Sequence, residues 1–153
     1  NENKKGEYYL TDICLVAKKR GRNVRAFFHP NAEEVLGINT KKELFWANRI
    51  MIERVLENHL KNGVTIGGVC VVIGVDVRIG RDSKIGNNVT IIGKTTIGEK
   101  VEIGSNVFMK DCIIGEEAKI GSFVYMENCV VEKKGKVPNF FMSNRGDRLC
   151  AEL

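Results

Sequence analysis

Few residues in this chain are of the kinds that move protons, bind metals or attack carbonyls, so their number and spacing are the first constraint. Five cysteines are present: Cys14, Cys70, Cys112, Cys129 and Cys150. The count is odd and no pair has the spacing of a zinc site, so free thiols in a reducing compartment are expected. There are only two histidines, His29 and His59, which excludes a histidine-rich metal centre. The short basic runs Lys18-Lys19-Arg20 and Lys133-Lys134 belong to a formal net charge of +5. No aromatic residues stand beside them to stack bases, so they read as solvated surface, and no nucleic-acid partner is expected. The triplet Arg145-Gly146-Asp147 reads as chance.

These residues need a scaffold, and the chain can supply one. Its 153 residues are 43% hydrophobic and 28% charged, enough for one ordinary core. The longest apolar run, Val69–Ile73, is far too short to span a bilayer. No secretory pattern opens the sequence, so a cytoplasmic protein without membrane insertion is expected. The chain begins at Asn1, not at methionine, within sequence that reads as ordered. The expectation is a piece of something longer.

The fold is read from a repeat. Aliphatic residues recur at Ile73, Ile79, Ile85, Ile91, Ile97, Ile103 and Met109, then at Ile114, Ile120, Met126, Val131 and Val137. Glycine follows many of them, at Gly74, Gly80, Gly86, Gly98, Gly104, Gly115 and Gly121. Four residues after each aliphatic comes a small or β-branched residue: Val77, Ser83, Val89, Thr95, Val101, Val107, Ile113, Ala118, Val124, Val130 and Gly135. A period of six suits neither an α-helix nor a simple strand. It suits a chain that turns a corner every six residues and stacks flat coils, the hexapeptide parallel β-helix. Ile91, Met109 and Met126 lack the glycine and stand 18 and 17 residues apart, so three hexads make one coil. Cys112 and Cys129 then lie one above the other, better read as two buried small residues than as a bonded pair. Such narrow coils bury little surface per ordered residue, so contact with other subunits is expected to contribute to stability.

Residues before the repeat read differently. Thr11–Arg20 is predicted to be a helix ended by Gly21, Asn23–Phe28 a strand ended at Pro30, and Asn31-Ala32-Glu33-Glu34 the capped start of a short helix closed by Gly37. Thr40-Lys41-Lys42-Glu43 is a capping box opening a long helix that ends near Asn62 at Gly63. Leu44, Phe45, Met51, Ile52, Val55, Leu56 and Leu60 form its broad apolar face, with Trp46 and Ile50 on a second stripe. A helix apolar on two sides is expected to lie between domains or subunits.

The order Gly6-Glu7-Tyr8-Tyr9-Leu10-Thr11-Asp12, Glu33-Glu34-Val35-Leu36-Gly37-Ile38-Asn39, long helix, Asn62-Gly63-Val64-Thr65-Ile66 and hexapeptides resembles the bacterial bifunctional UDP-N-acetylglucosamine pyrophosphorylase/glucosamine-1-phosphate acetyltransferases. The resemblance runs from about residue 3 to 138. It implies a mainly β chain: residues 1–40 close a nucleotidyltransferase domain (an α/β remnant), 41–62 form a connecting helix, 63–138 a left-handed β-helix and 139–153 a divergent tail. It further implies a cytoplasmic homotrimer in UDP-N-acetylglucosamine biosynthesis, feeding peptidoglycan and lipopolysaccharide. UTP, glucosamine-1-phosphate and acetyl-CoA would be its substrates, and Mg²⁺ its metal. Asn39 matches the family residue that helps hold Mg²⁺ and the nucleotide sugar, and an amide oxygen suits a hard cation. Tyr9 and Thr11 match positions near the sugar phosphate. Packing and helix capping are the plain alternatives for these three.

Departures from the family are as informative. Its Gly-rich nucleotide-binding loop and the acidic partner of the asparagine on Mg²⁺ do not occur in these residues, so uridylyl transfer by the isolated chain is not expected. From Gly121 to Pro138 the chain aligns with the segment that leads to the family's catalytic histidine, and that position is Asn139. The family lysine that meets the sugar phosphate falls on Glu127, and a family tyrosine falls on Met142. An asparagine amide takes no proton from an amine near neutral pH, so the isolated chain is expected to be inactive, with no catalytic residue of its own. After Phe141 the hexapeptide pattern is lost. Two other readings are a non-catalytic trimerisation or scaffold module, and an unrelated hexapeptide acyltransferase. The last would need another base, and His29 and His59 lie outside the coils.

Overall fold

A computed structural model describes residues 9–144 and 146–149. The chain divides into two compact units, Asn1–Gly37 and Ile38–Leu153.

The first unit holds helix α1, Asp12–Lys19. Asp12 in its first turn and Lys18 and Lys19 in its last complement the helix dipole, and Gly21 takes the left-handed turn that ends it, at φ +67°. The predicted strand at Asn23–Phe28 does not form. Alternation supplies a strand with a face, but a strand also needs a hydrogen-bonded neighbour, and among the described residues this unit has no strand. The short helix is a 3₁₀ turn, Ala32–Val35, with Asn31 Oδ1 accepting the Glu33 N–H at 2.9 Å.

The second unit opens with helix α2, Lys41–Lys61. Its capping box is complete. Thr40 Oγ1 accepts the Glu43 N–H at 3.2 Å, and Glu43 Oε2 accepts the Thr40 N–H at 2.7 Å. The later turns of α2 seat Val55 and Leu56 against the core of the coils, with His59 buried beside them. Leu44, Phe45, Trp46 and Met51, toward its start, remain about half exposed.

The rest of the unit is a parallel β-solenoid of three five-stranded sheets. The first face stacks Thr65–Ile66, Lys84–Ile85, Glu102–Ile103, Lys119–Ile120 and Lys136–Val137. The second stacks Val72–Ile73, Val89–Ile92, Val107–Lys110, Val124–Glu127 and Met142–Ser143. The third stacks Arg78–Ile79, Thr96–Ile97, Ile113–Ile114, Val130–Val131 and Arg148–Leu149. Ile91, Met109 and Met126 form one fully buried column, in register between neighbouring coils. The inward hydroxyls are paired: Ser83 Oγ donates to the Gly98 carbonyl at 3.0 Å, and Thr95 Oγ1 to the Ile92 carbonyl at 2.7 Å.

Three expectations need correction. Ile113 is 56% exposed and Val130 half-buried; Cys112 and Cys129 point inward in their place, each fully buried. From Met109 and from Met126 the next inward aliphatic comes after five residues instead of six, and the narrow inward position moves back by one with it. The coil also does not stop near residue 138. Met142 pairs with Tyr125 and Ser143 with Met126, while Arg148 and Leu149 pair with Val130 and Val131. Ser143, buried at 5% exposure, occupies an inward site that earlier coils fill with Ile or Met, which hides the repeat from an aliphatic count. The tail Met142–Leu149 is therefore coil as far as it is described; Arg145 and Cys150 lie outside the described residues.

Corners require the left-handed backbone, and this chain often meets that need without glycine. Asp82, Lys100, Glu117 and Lys134 hold φ between +57° and +60° in one corner column. In another, Asn88 and Asn106 give way to Phe123 and Phe140, whose rings stack at 5.0 Å.

Candidate functional site

The corner between the first and second faces carries Asn139, where the family resemblance expects a catalytic base. It is built as a ladder. The Val69 N–H donates to Asn87 Oδ1 at 3.1 Å, the Asn87 N–H to Ser105 Oγ at 3.3 Å, and the Ser105 N–H to Ser122 Oγ at 3.1 Å. The Ser122 N–H then donates to Asn139 Oδ1 at 2.8 Å. Each side chain satisfies a backbone donor of the preceding coil that would otherwise face solvent. Asn139 is the last described rung of this structural series, and its amide oxygen is committed to it.

Glu127 and Met142, the other two departures, lie on the second face. Glu127 Oε1 accepts the Tyr125 hydroxyl at 2.5 Å, which raises the tyrosine's pKa. Tyr125 stacks on Phe108 at 4.9 Å, and Met142, in register with Tyr125, is 77% exposed. None of these groups forms a nucleophile–base pair with Asn139.

Beside the ladder runs an open groove of about 870 Å³ over the first face, lined by Lys84, Glu102, Lys119, Lys136 and Asn139 among others. Glu102 and Lys119 are ion-paired at 3.3 Å. Sequence reasoning missed this column and the ladder, although both leave a trace. Lys84, Lys119 and Lys136 each immediately precede an inward aliphatic of the first face, and Asn87, Ser105, Ser122 and Asn139 each stand two residues after one. The eye follows the aliphatics and passes over the polar positions that keep step with them.

Of the positions expected near a nucleotide sugar, Tyr9 and Thr11 fall in the first unit and Asn39 in the second. Tyr9 is 44% exposed. Thr11 takes the N-cap position of α1, but its side chain makes no capping hydrogen bond. Asn39 is exposed and donates its N–H to Glu43 Oε2 at 2.8 Å. Glu43 is held below the usual carboxylate pKa chiefly by that bond, and further by Thr40. Among the described residues no three His, Cys, Asp or Glu side chains cluster as metal ligands, and no helix is long and apolar enough to cross a membrane.

Known proteins share part of this sequence. The bifunctional GlmU protein of Latilactobacillus sakei is 46% identical over 66 residues, 43% of this chain and 14% of its own length. Those of Geobacillus thermodenitrificans and Clostridioides difficile are 47% and 46% identical over the same length. The chain thus spans about a seventh of these relatives, 14% of each. Among solved structures, the acetyltransferase domain of PglB from Neisseria gonorrhoeae aligns with 65% of this chain and 59% of its own, at 15% identity and a TM-score of 0.24. The family described as the GMPPB C-terminal domain matches residues 55–145, from the last turns of α2 through the strand Met142–Ser143. With more than half of its length so matched, the chain belongs to the GMPPB C-terminal domain family.

Proposed function

We propose that this chain is the junction of a larger bifunctional enzyme of UDP-N-acetylglucosamine biosynthesis, and that by itself it performs neither of the enzyme's two transfers. In this reading residues 1–40 close the uridylyl-transferring domain, 41–62 connect, and the coils begin the acetyltransferase. The parent would act as a cytoplasmic homotrimer on UTP, glucosamine-1-phosphate and acetyl-CoA.

One observation carries the inactivity: Asn139 stands where the resemblance puts the base, with its amide oxygen bonded to the Ser122 N–H at 2.8 Å. Acetyl transfer to an amine requires a group that accepts a proton near neutral pH. An amide has no such protonation, and this one is already in use. Glu127, where the resemblance puts a cation for the sugar phosphate, brings a carboxylate instead, tied to Tyr125.

The parent's uridylyl transfer would rely on Mg²⁺, which supplies charge neutralisation between phosphates. Asn39 offers one neutral oxygen, and the neighbouring Glu43 Oε2 is shared by the Asn39 and Thr40 N–H groups. Mg²⁺ usually takes one or two carboxylates together with waters and substrate phosphates, and the one carboxylate beside Asn39 is already engaged by two backbone N–H groups. The residues described around Asn39 therefore do not hold the ion on their own.

A second reading is favoured by the corner ladder: a non-catalytic trimerisation or scaffold module. Its corner is made of side chains that each bond the backbone of a neighbouring coil. The test is release of CoA thiol from acetyl-CoA and glucosamine-1-phosphate. The full chain is expected to release none above background, and turnover would overturn the inactivity. Coding sequence upstream of Asn1 that specifies a Gly-rich loop with Arg and Lys would favour the enzyme junction over the scaffold.

A further inference from the structure

Two corner lysines are neutralised. Lys133 meets Glu116 at 2.6 Å and Lys134 meets Glu117 at 3.7 Å, each across one coil. The first face is paired less completely. Lys119 and Lys136 are register partners on adjacent rungs, with backbones about 4.8 Å apart, and like charges directly opposite are unfavourable. The one carboxylate of this column, Glu102, stands between Lys84 and Lys119 and is ion-paired with Lys119 at 3.3 Å. Lys84 and Lys136 have no ion-pair partner among the described residues.

Asn139 borders the same groove. Its oxygen accepts from Ser122, and its two amide N–H donors remain to meet an anion. The groove thus gathers three ammonium groups and an amide donor around a single, already engaged carboxylate. Its volume of about 870 Å³ lies within the usual range for small-molecule sites.

We propose that this groove is an anion site for a diphosphate group. Lysines on adjacent rungs can each reach one of two linked phosphoryl groups, whose oxygens accept charge-assisted hydrogen bonds, and so suit a diphosphate better than a lone carboxylate. The diphosphate supplies the anion that Lys84 and Lys136 lack, and Asn139 closes one end. The site depends on the groove alone and not on either reading of the parent protein.

The test titrates the full chain by calorimetry with inorganic pyrophosphate and, separately, with UDP. Saturable pyrophosphate binding is expected, and Lys119→Gln with Lys136→Gln should weaken it by about tenfold or more, the scale of lost charge-assisted bonds. Lys133→Gln with Lys134→Gln, on the paired corner, should leave it unchanged. Equal affinity for the two probes assigns recognition to the diphosphate, and tighter UDP binding assigns it to a nucleotide carrying one. Both outcomes require loss in the first-face double variant. Because these lysines point outward, that variant should keep the parent's circular dichroism and melt no lower without ligand. Absence of saturable pyrophosphate binding, or equal loss in both double variants, would overturn the site.

Discussion

Ser122 donates its backbone N–H to Oδ1 of Asn139 across 2.8 Å, joining two successive coils at one corner. Replacing Asn139 with His therefore removes a rung without creating an acetyltransferase. The expected cost is about 1 kcal/mol in chemical denaturation, the usual scale of one such bond, with no release of CoA thiol. Asn139→Asp keeps an acceptor at that position and should be the milder change.

Thiol reactivity should divide sharply. Cys14 and Cys70 are exposed, while Cys112 and Cys129 are free and buried, and burial foremost pushes the Cys112 thiol above its ordinary pKa. In a Cys150→Ser background, an aromatic disulfide reagent should label Cys14 and Cys70 quickly. Cys112 and Cys129 should react only as the coils open. Rapid modification of all four would contradict their inward placement.

His59 makes stability depend on pH in one direction. Burial lowers its pKa from the model-peptide value of 6.5, so the unfolded chain binds the proton first. Its contribution is complete above the unfolded pKa and is lost as pH falls from there through the lower folded value. Denaturant midpoints should decline across that window, and His59→Gln should flatten the slope. An unchanged slope would mean that His59 is not the group responsible.

Lys100 occupies the left-handed region at φ +57°, which costs a side-chain-bearing residue free energy that Asn tolerates better. Lys100→Asn should stabilise the coil by about 0.5 kcal/mol, seen as a higher melting temperature. A loss of stability would show that the Lys100 charge beside Glu116 outweighs the backbone term.

The solenoid was legible because its inward residues are aliphatic and regularly spaced; Ile85, Ile97, Ile103 and Ile120 are all nearly fully buried. The signal weakened wherever another residue did the same job. Cys112 and Cys129 are buried as the coil spacing implies, but the inward position itself is assigned to Ile113 and Val130 by a strict count of four, and Ser143 escapes that count because it is polar. The strand expected at Asn23–Phe28 shows the opposite error, in which local alternation was read without asking what would pair with it. Capping at Thr40 and Glu43 was readable because that motif is self-contained within four residues. Of the site, the replacement at position 139 could be read by resemblance. Its bond to Ser122 could not, because the partner lies 17 residues away and only the coil length brings the two together.

The passage from the second face to the third exists in two lengths within this one chain. It takes six residues from Ile91 to Ile97 and five from Met109 to Ile114 and from Met126 to Val131, and the parallel register survives the change. That edge is consequently the chain's natural splice point. An insertion near Asn128 is expected to be absorbed at this bend, whereas the same insertion beside Lys119 would rotate a whole row of core side chains out to water.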